Sequence, residues 1–489
     1  MKKQTVFLLV LAICTNLLFG CSNENTLQET DSEDTAVSIE TVDTAEETAA
    51  PEPDFAVPDY DGYSFRMLAA PHTDGTPSEI DVESETGESL NDAVYRRNMK
   101  LESELDIQMV EILSYGNVPA GEIRDVIVAG EDAYDAIISQ VVYYAPHIIE
   151  GFLLDTAELQ HIDPEKMYWN GGVIRDSAIA GREFLLFGDS LWSDKSRTWC
   201  LCFNKELLEA NRFENPYELV REGLWTLDKL KEQCLGVKND VDGNGEYNEK
   251  DLWGLLGSNT AGIGLVTSCG MITTESGKDG LTLRLGDEST VSILGEIHEF
   301  INAGTMMLRA EDIKNGGNIW DEIINVFREG RALYRISILS DVTSLRDMEN
   351  DFGILPMPKR NENQQEYLTT YQGWNANAIA VPMTVKDPAQ TGAILEYMSY
   401  YSTDTILKAY YDITLQRKVS RDNDSAEMLD LIFSSVTTDI ALAMEFGGIR
   451  PQLVSMINSG DNTIASSIAS IKVSIQNELN TLFDSVKNP

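Results

Sequence analysis

Basic residues are scarce in this chain: 37 Lys and Arg stand against 80 Asp and Glu, a net charge of −43 in 489 residues. A surface that acidic repels phosphate backbones, so nucleic acid is excluded as an expected partner. Histidine is rarer still. The four, His72, His147, His161 and His298, are scattered, which offers no local spacing for a zinc site or a histidine base. Six cysteines include no CxxC pair, which argues against a zinc ribbon or a thioredoxin-like centre. Cys200 and Cys202, two apart on an expected strand, face one side, and with Cys234 and Cys269 they read as buried free thiols, a disulfide among the four being the alternative. GxSxG, P-loop, GxGxxG and HExxH patterns are all missing. With 80 acids, carboxylate pairs occur at every spacing by chance and carry no signal for glycoside chemistry.

What is present begins with an address. Met1-Lys2-Lys3 precedes an apolar run from Val6 to Phe19, too short for a stable membrane span and read as a secretory signal over residues 1–20. The run ends Leu18-Phe19-Gly20-Cys21, which resembles the lipobox of bacterial lipoproteins; the resemblance implies cleavage before Cys21 and a lipid on its thiol. Residues 22–58 hold eleven Asp and Glu and no Lys or Arg, with few hydrophobic residues. No core can form there, and residues 21–58 are expected to be a disordered acidic tether. No later stretch is apolar enough to span a bilayer.

From Tyr60 strands and helices alternate. Tyr63–Ala69, Ile107–Leu113 and Ala136–Ser139 have strand character, and Leu90–Leu105 and Pro119–Ala129 have helical spacing. Glu183–Phe187, Thr198–Phe203, Ala332–Ile336 and Asn377–Val381 are further expected strands. Pro388–Tyr401 is an expected amphipathic helix, and the tail from Ser425 to Val486 is expected to be nearly all helical. Such alternation argues for open α/β sheets flanked by helices, with ligands at the carboxyl ends of the strands.

One local motif is sharp. Asp240-Val-Asp242-Gly-Asn244-Gly-Glu246 through Asp251 follows the EF-hand loop template up to its last position, where Asp251 stands in place of the usual glutamate. Oxygen ligands fall at positions one, three and five (Asp240, Asp242, Asn244), glycine stands at six, the Glu246 carbonyl at seven and Asp251 at twelve. The spacing points to one structural calcium ion.

Several segments together resemble one family. Asp135-Ala-Ile-Ile-Ser139 and Glu150-Gly-Phe-Leu-Leu-Asp155 resemble the first-lobe pattern of bacterial extracellular solute-binding proteins of ABC importers, in the maltose-binding-like branch. Phe203-Asn-Lys205 resembles their YNK junction and Trp225-Thr-Leu-Asp228 their WTxD helix start. Phe327-Arg-Glu-Gly330-Arg-Ala332 resembles FxxGxAAM, and Gly353-Ile-Leu-Pro356-Met-Pro358-Lys359 resembles GxxPxPK. The motifs occur in family order over residues 60–440. The resemblance implies a type II periplasmic-binding-protein-like fold: two α/β lobes joined by three hinge crossings around a cleft. It places lobe one at 59–190 with 355–402, and lobe two at 196–352 with 403–489. It implies a monomeric, lipid-anchored receptor on the extracytoplasmic face of the cell membrane. That receptor captures a solute, expected to be a sugar or oligosaccharide, and delivers it to permease subunits without covalent chemistry.

By family position, the cleft is expected to draw on Gln140 and Tyr143, on Asp189 and Trp192, on Arg335, and on Tyr371 and Trp374. Trp374 beside Gly373 is read as an aromatic on an exposed turn, free to stack on a sugar. Most aromatics belong to cores by default. A cell-surface glycan-acting enzyme and a non-transport receptor or adhesin are the alternative readings.

Overall fold

A computed structural model describes residues 50–487 except 72–75, 117–118, 238, 242, 305, 315, 346 and 416–422. The signal segment, Cys21 and most of the expected tether lie outside the described residues, as does Asp242. No described helix is long and apolar enough to cross a membrane.

Eleven strands are described: β1 Tyr63–Ala69, β2 Ile107–Leu113, β3 Ala136–Gln140, β4 Trp199–Asn204, β5 Trp253–Gly257, β6 Thr274–Gly277, β7 Gly280–Leu283, β8 Met307–Arg309, β9 Ala332–Ile338, β10 Phe352–Leu355 and β11 Asn377–Ala380. They form two main sheets. The first has the order β11-β3-β1-β2, with β1 parallel to both neighbours and β11 antiparallel to β3. The second has the order β10-β4-β9-β5-β8 and mixes parallel and antiparallel pairs. Strands β6 and β7 form a separate hairpin. Every residue of β4, β5 and β9 is buried, as expected of strands covered on both faces. Alternation along β4 sends Trp199, Leu201 and Phe203 into one core and Cys200 and Cys202 into another. All four described cysteines are buried and free.

Three expected features differ. Residues 50–58 are docked rather than loose. Phe55 stacks on His161 at 4.1 Å and meets the edge of Tyr397 at 5.2 Å, the Tyr397 hydroxyl donates to the Phe55 carbonyl, and Asp54 pairs with Lys166 at 2.7 Å. One aromatic anchor outweighs the polar composition of its neighbours. Glu183–Phe187 is no full strand: Leu186 forms an isolated bridge with Ile379 of β11, while the Glu183 and Phe187 carbonyls accept from Thr156 and Asn170 in other segments. The helix Pro388–Ser402 is not amphipathic, since eleven of its fifteen residues are buried. It lies between the helix Ser89–Leu105 and the segment around Gln160, and its one buried acid, Glu396, accepts from the Tyr168 hydroxyl and the Trp169 indole.

The chain passes between the sheets at three places. The first is 189–198, leading into β4. The return falls at 371–376, later than the 352–355 boundary drawn from the sequence. Strand β10 pairs with β4, Lys359 exchanges backbone hydrogen bonds with Trp225 and Leu227, and the Tyr367 hydroxyl donates to the Val220 carbonyl. Residues 355–370 therefore pack with the second sheet. The third passage continues the helix Pro388–Ser402 through a π-helical turn, Thr403–Leu407, into the helix Lys408–Leu415. The first two passages run side by side: Trp199 N–H donates to the Thr370 carbonyl and Gln372 N–H to the Arg197 carbonyl, both at 3.0 Å. The last helix, Ile464–Lys487, touches β7 on one side and the first-lobe helix Ala145–Ile149 on the other.

Candidate ligand cleft

A cavity of about 690 Å³ opens between the two sheets. Its first-lobe wall is made by chain leaving the carboxyl ends of β1 and β3, namely Ala69–Pro71 and Ser139–Tyr143, and by Asn377 at the start of β11. Its second-lobe wall includes Ser340 and Thr343, just after β9. The hinge contributes Trp192, Ser193, Ser196 and Arg197 from the first passage, Trp374 and Asn375 from the second, and Tyr410 and Ile413 from the third. This is where open α/β sheets bind ligands.

One carboxylate organises the floor. Glu79 is 5% exposed and lines the cavity. Its Oε1 accepts the N–H groups of Trp192 and Ser193, both at 2.8 Å. Its Oε2 accepts the Ser193 hydroxyl at 3.1 Å and the Asn377 amide at 2.8 Å. Burial raises the Glu79 carboxyl above its ordinary range, while those donors oppose the shift. Behind it, the buried guanidinium of Arg97 donates to the carbonyls of Glu79 and Ile80 at 3.0 and 2.6 Å. Desolvation brings Arg97 down to about 10, against the nearby Asp81 and Glu79 charges.

The sequence-derived candidates separate into three groups. Gln140, Tyr143, Trp192 and Trp374 line this cavity. Asp189 and Tyr371 line a second cavity, of about 400 Å³, that shares no lining residue with the first. Arg335 lines neither. It is buried in β9 and donates to Ser337 and Asp341, so it belongs to a polar pair within the second lobe. Trp374 also departs from its expected setting. Gly373 is small because its backbone approaches Ala443, where a Cβ would lie 2.7 Å from the carbonyl oxygen. The Trp374 ring is half-buried, with the Arg450 guanidinium 4.3 Å from its centroid. Unforeseen lining residues are Glu79, Ser193, Arg197, Asn377 and Tyr410. The Tyr410 phenol is buried and makes no hydrogen bond among the described residues. Nothing local marks these positions in the sequence.

In the calcium-like loop, Asp240 accepts the N–H groups of Gly243 and Gly245, both at 2.7 Å, and Asn244 accepts that of Glu246 at 2.6 Å. Asp251 is buried and accepts the N–H groups of Val241 and Asn248 at 3.0 and 2.9 Å. Gly243 and Gly245 have φ of 69° and 82°, which the sharp turn requires. Among the described residues, which omit Asp242, no three His, Cys, Asp or Glu are grouped to hold a metal.

The fold is that of the two-lobe solute-binding proteins that serve ABC importers. Solved structures with this architecture include UgpB from Mycobacterium tuberculosis in complex with glycerophosphocholine, at 15% identity and a TM-score of 0.55, covering 86% of this chain and 98% of that one. The GacH receptor of Streptomyces glaucescens, solved unliganded and with acarbose, matches at 14% identity and 0.54, covering 86% and 98%. An ABC substrate-binding protein of Listeria monocytogenes in complex with cycloalternan matches at 13% and 0.54, covering 85% and 99%. No protein-family profile matches the chain, and no curated protein matches it.

Asp189, which lies outside the cleft, gives the stability of the fold a pH dependence. Its Oδ2 accepts the Thr403 hydroxyl at 2.8 Å, and its Oδ1 lies 3.6 Å from Lys195 Nζ. Burial pushes its carboxyl from 3.8 up to about 6, with Lys195 pulling the other way. Between those values the folded chain holds a proton that the unfolded chain has released. The associated stability is fully present below the unfolded value and is lost as pH rises through about 6. Denaturant midpoints from pH 4 to 7 should therefore show Asp189→Asn gaining on the parent as pH rises, levelling above about 6. A difference independent of pH would contradict the assignment.

Proposed function

We propose that this chain is the substrate-binding receptor of an ABC importer, capturing an extracellular sugar or oligosaccharide between its lobes and delivering it to membrane permease subunits. The observation that carries this reading is the interlobe cavity, walled by both lobes and by all three passages, with hydroxyls and amides set among the rings of Tyr143, Trp192, Trp374 and Tyr410. Aromatic faces pack on the C–H surfaces of a sugar, while Ser139, Gln140, Ser193 and Asn377 exchange hydrogen bonds with hydroxyls that water otherwise satisfies. Binding of this kind needs no bond to break. The receptor acts as a monomer, anchored on the extracytoplasmic face of the cell membrane through a lipid on Cys21, with the acidic segment after it holding the lobes away from the bilayer. One calcium ion, held by Asp240, Asp242, Asn244, the Glu246 carbonyl and Asp251, braces the loop that leads into β5. Carboxylate, amide and carbonyl oxygens are the ligands such a hard cation takes.

A thermal-shift panel of mono- and oligosaccharides should contain a member that raises the melting temperature, with Trp374→Ala weakening its binding about ten-fold or more while folding survives. A panel without any shift, or a Trp374→Ala protein that binds equally well, would overturn the carbohydrate reading. For the metal, EGTA should lower the melting temperature and added calcium should restore it; a melting curve indifferent to both rules the ion out. Cys21→Ser should move the protein from the membrane fraction to the soluble one. Unchanged partitioning would mean the anchor lies elsewhere.

A further inference from the structure

Trp374 lines the ligand cleft, and the guanidinium of Arg450 lies over its ring, 4.3 Å from the centroid. Arg450 is not itself part of the cleft lining. The indole thus stands between the cavity and a partly buried cation.

The backbone that carries Trp374 is fixed by the first lobe and the hinge. Val142 N–H donates to the Gly373 carbonyl at 3.2 Å, Val141 N–H to the Ala376 carbonyl at 3.0 Å, and Gln372 N–H to the Arg197 carbonyl at 3.0 Å. Within the turn, the Asn375 and Ala376 N–H groups both donate to the Gln372 carbonyl at 2.8 Å. With the backbone held, the ring is oriented by its two side-chain torsions and by what packs on it.

Arg450 comes from the second lobe. It stands in the first turn of the helix Ile449–Asn458, which packs on the helices Ala261–Ser268 and Glu288–Ile301. Its Nε donates to Glu445, and the two side chains are 26% and 19% exposed. Glu445 has φ 54° and ψ 38°, in the left-handed region that a residue with a Cβ rarely occupies. The surrounding structure must impose such a posture, and here it brings the carboxylate to the side chain that covers Trp374. A guanidinium over an indole is drawn to the negative face of the ring and stacks on it through its own plane. One face is then occupied, and the other is left for the C–H surface of a solute.

We propose that Arg450 is a positioning residue for the cleft: its guanidinium covers one face of the Trp374 indole, Glu445 holds the guanidinium there, and the opposite face is the surface presented to the solute. On the sugar-binding reading of the cleft, on which this rests, the stacking surface is assembled from both lobes. The ring is pinned by the first lobe and the hinge, and its backing is carried by the second. Rotation of one lobe on the other then alters the backing of the ring together with the width of the cleft.

The test uses the full mature chain labelled with 5-fluorotryptophan, whose seven indoles each carry a fluorine reporter. Trp374→Phe identifies the Trp374 signal by its loss. Arg450→Met, which keeps an unbranched stem and removes the cation, should move and broaden that signal and leave the others in place. Glu445→Gln should move it in the same direction. Arg450→Lys, which keeps the charge without the planar fork, should place it between the parent and Arg450→Met. An unmoved Trp374 signal in Arg450→Met or in Glu445→Gln, or a movement spread over all the indoles, would overturn the proposal. Maltotriose is the binding probe. Calorimetric titration should show it binding Arg450→Met about three-fold or more weakly than the parent, as loss of one cation–π contact implies, with Arg450→Lys again between. Equal affinity in the parent and Arg450→Met would also overturn the proposal. A parent that ignores maltotriose counts against the sugar reading alone, and the fluorine signals, which need no solute, still decide the positioning.

Discussion

Glu79 holds a carboxylate that water scarcely reaches, and the shape of the cleft depends on how that carboxylate is satisfied. Four donors converge on its two oxygens, three from the first passage and one from the first lobe: two N–H groups and a hydroxyl at the start of the short helix Ser193–Ser196, and an amide at the start of β11. Each charge-assisted hydrogen bond is worth roughly 1.5–3 kcal/mol net, and losing the acceptor leaves buried donors unsatisfied as well. The loop that carries Glu79 is fixed in turn by Arg97, whose guanidinium is spent on carbonyls of the same loop. The cavity floor is therefore tied to the hinge by polar contacts whose geometry is specific, where an apolar contact would tolerate sliding.

The passages themselves are narrow and two-sided. A single turn of helix at 193–196 puts Trp192, Ser193, Ser196 and Arg197 toward one cavity and Asp194 and Lys195 toward the other. The helix Lys408–Leu415 repeats the arrangement with Tyr410 and Ile413 against Tyr411. Any rotation of one lobe on the other must pass through these elements, so the two cavities cannot change independently. The last helix adds a constraint away from the hinge. It packs on both lobes, and the Val486 carbonyl near its end accepts from Arg182 at 3.4 Å. Relative motion of the lobes must either carry that helix with one of them or bend its contact with the other.

Much of the fold was legible because hydrophobic periodicity survives in single segments. β1 and β2 run where alternation puts them, and Thr226 caps the helix Leu227–Leu235 by accepting the Lys229 N–H. The errors came where long-range contact outweighs local pattern. The helix Pro388–Ser402 is covered on nearly every side, so its polar residues Thr391, Glu396 and Ser399 are buried and blur no face in the way a surface helix would. The resemblance of Gly353–Lys359 to the family's GxxPxPK strand puts the return passage too early, while pairing of β10 with β4 and the docking of Lys359 on Trp225 keep the chain on the second sheet. Within the site, the aromatic candidates divide: Tyr143, Trp192 and Trp374 line the cleft, and Tyr371 lines the second cavity. Arg335, in the middle of β9, donates to Asp341 within the second lobe.

The acids explain why the polar half of the site was hidden. In a chain with 80 Asp and Glu, a carboxylate that organises structure looks like the many that merely face water. The structure separates them by one criterion. Glu79, Asp135, Asp251 and Asp439 each accept backbone N–H groups from segments the chain brings to them: Trp192 and Ser193, Arg66, Val241 and Asn248, Thr273 and Thr274. Three of these four are almost wholly buried, Asp439 less so. Burying a charge is tolerable only with such partners, and the partners lie up to 166 residues away in the chain. Asp251 is the exception, with partners in its own loop that spacing marks; for Glu79, Asp135 and Asp439 no spacing rule connects residues so far apart, and those acids become visible only when the backbone that feeds them is folded.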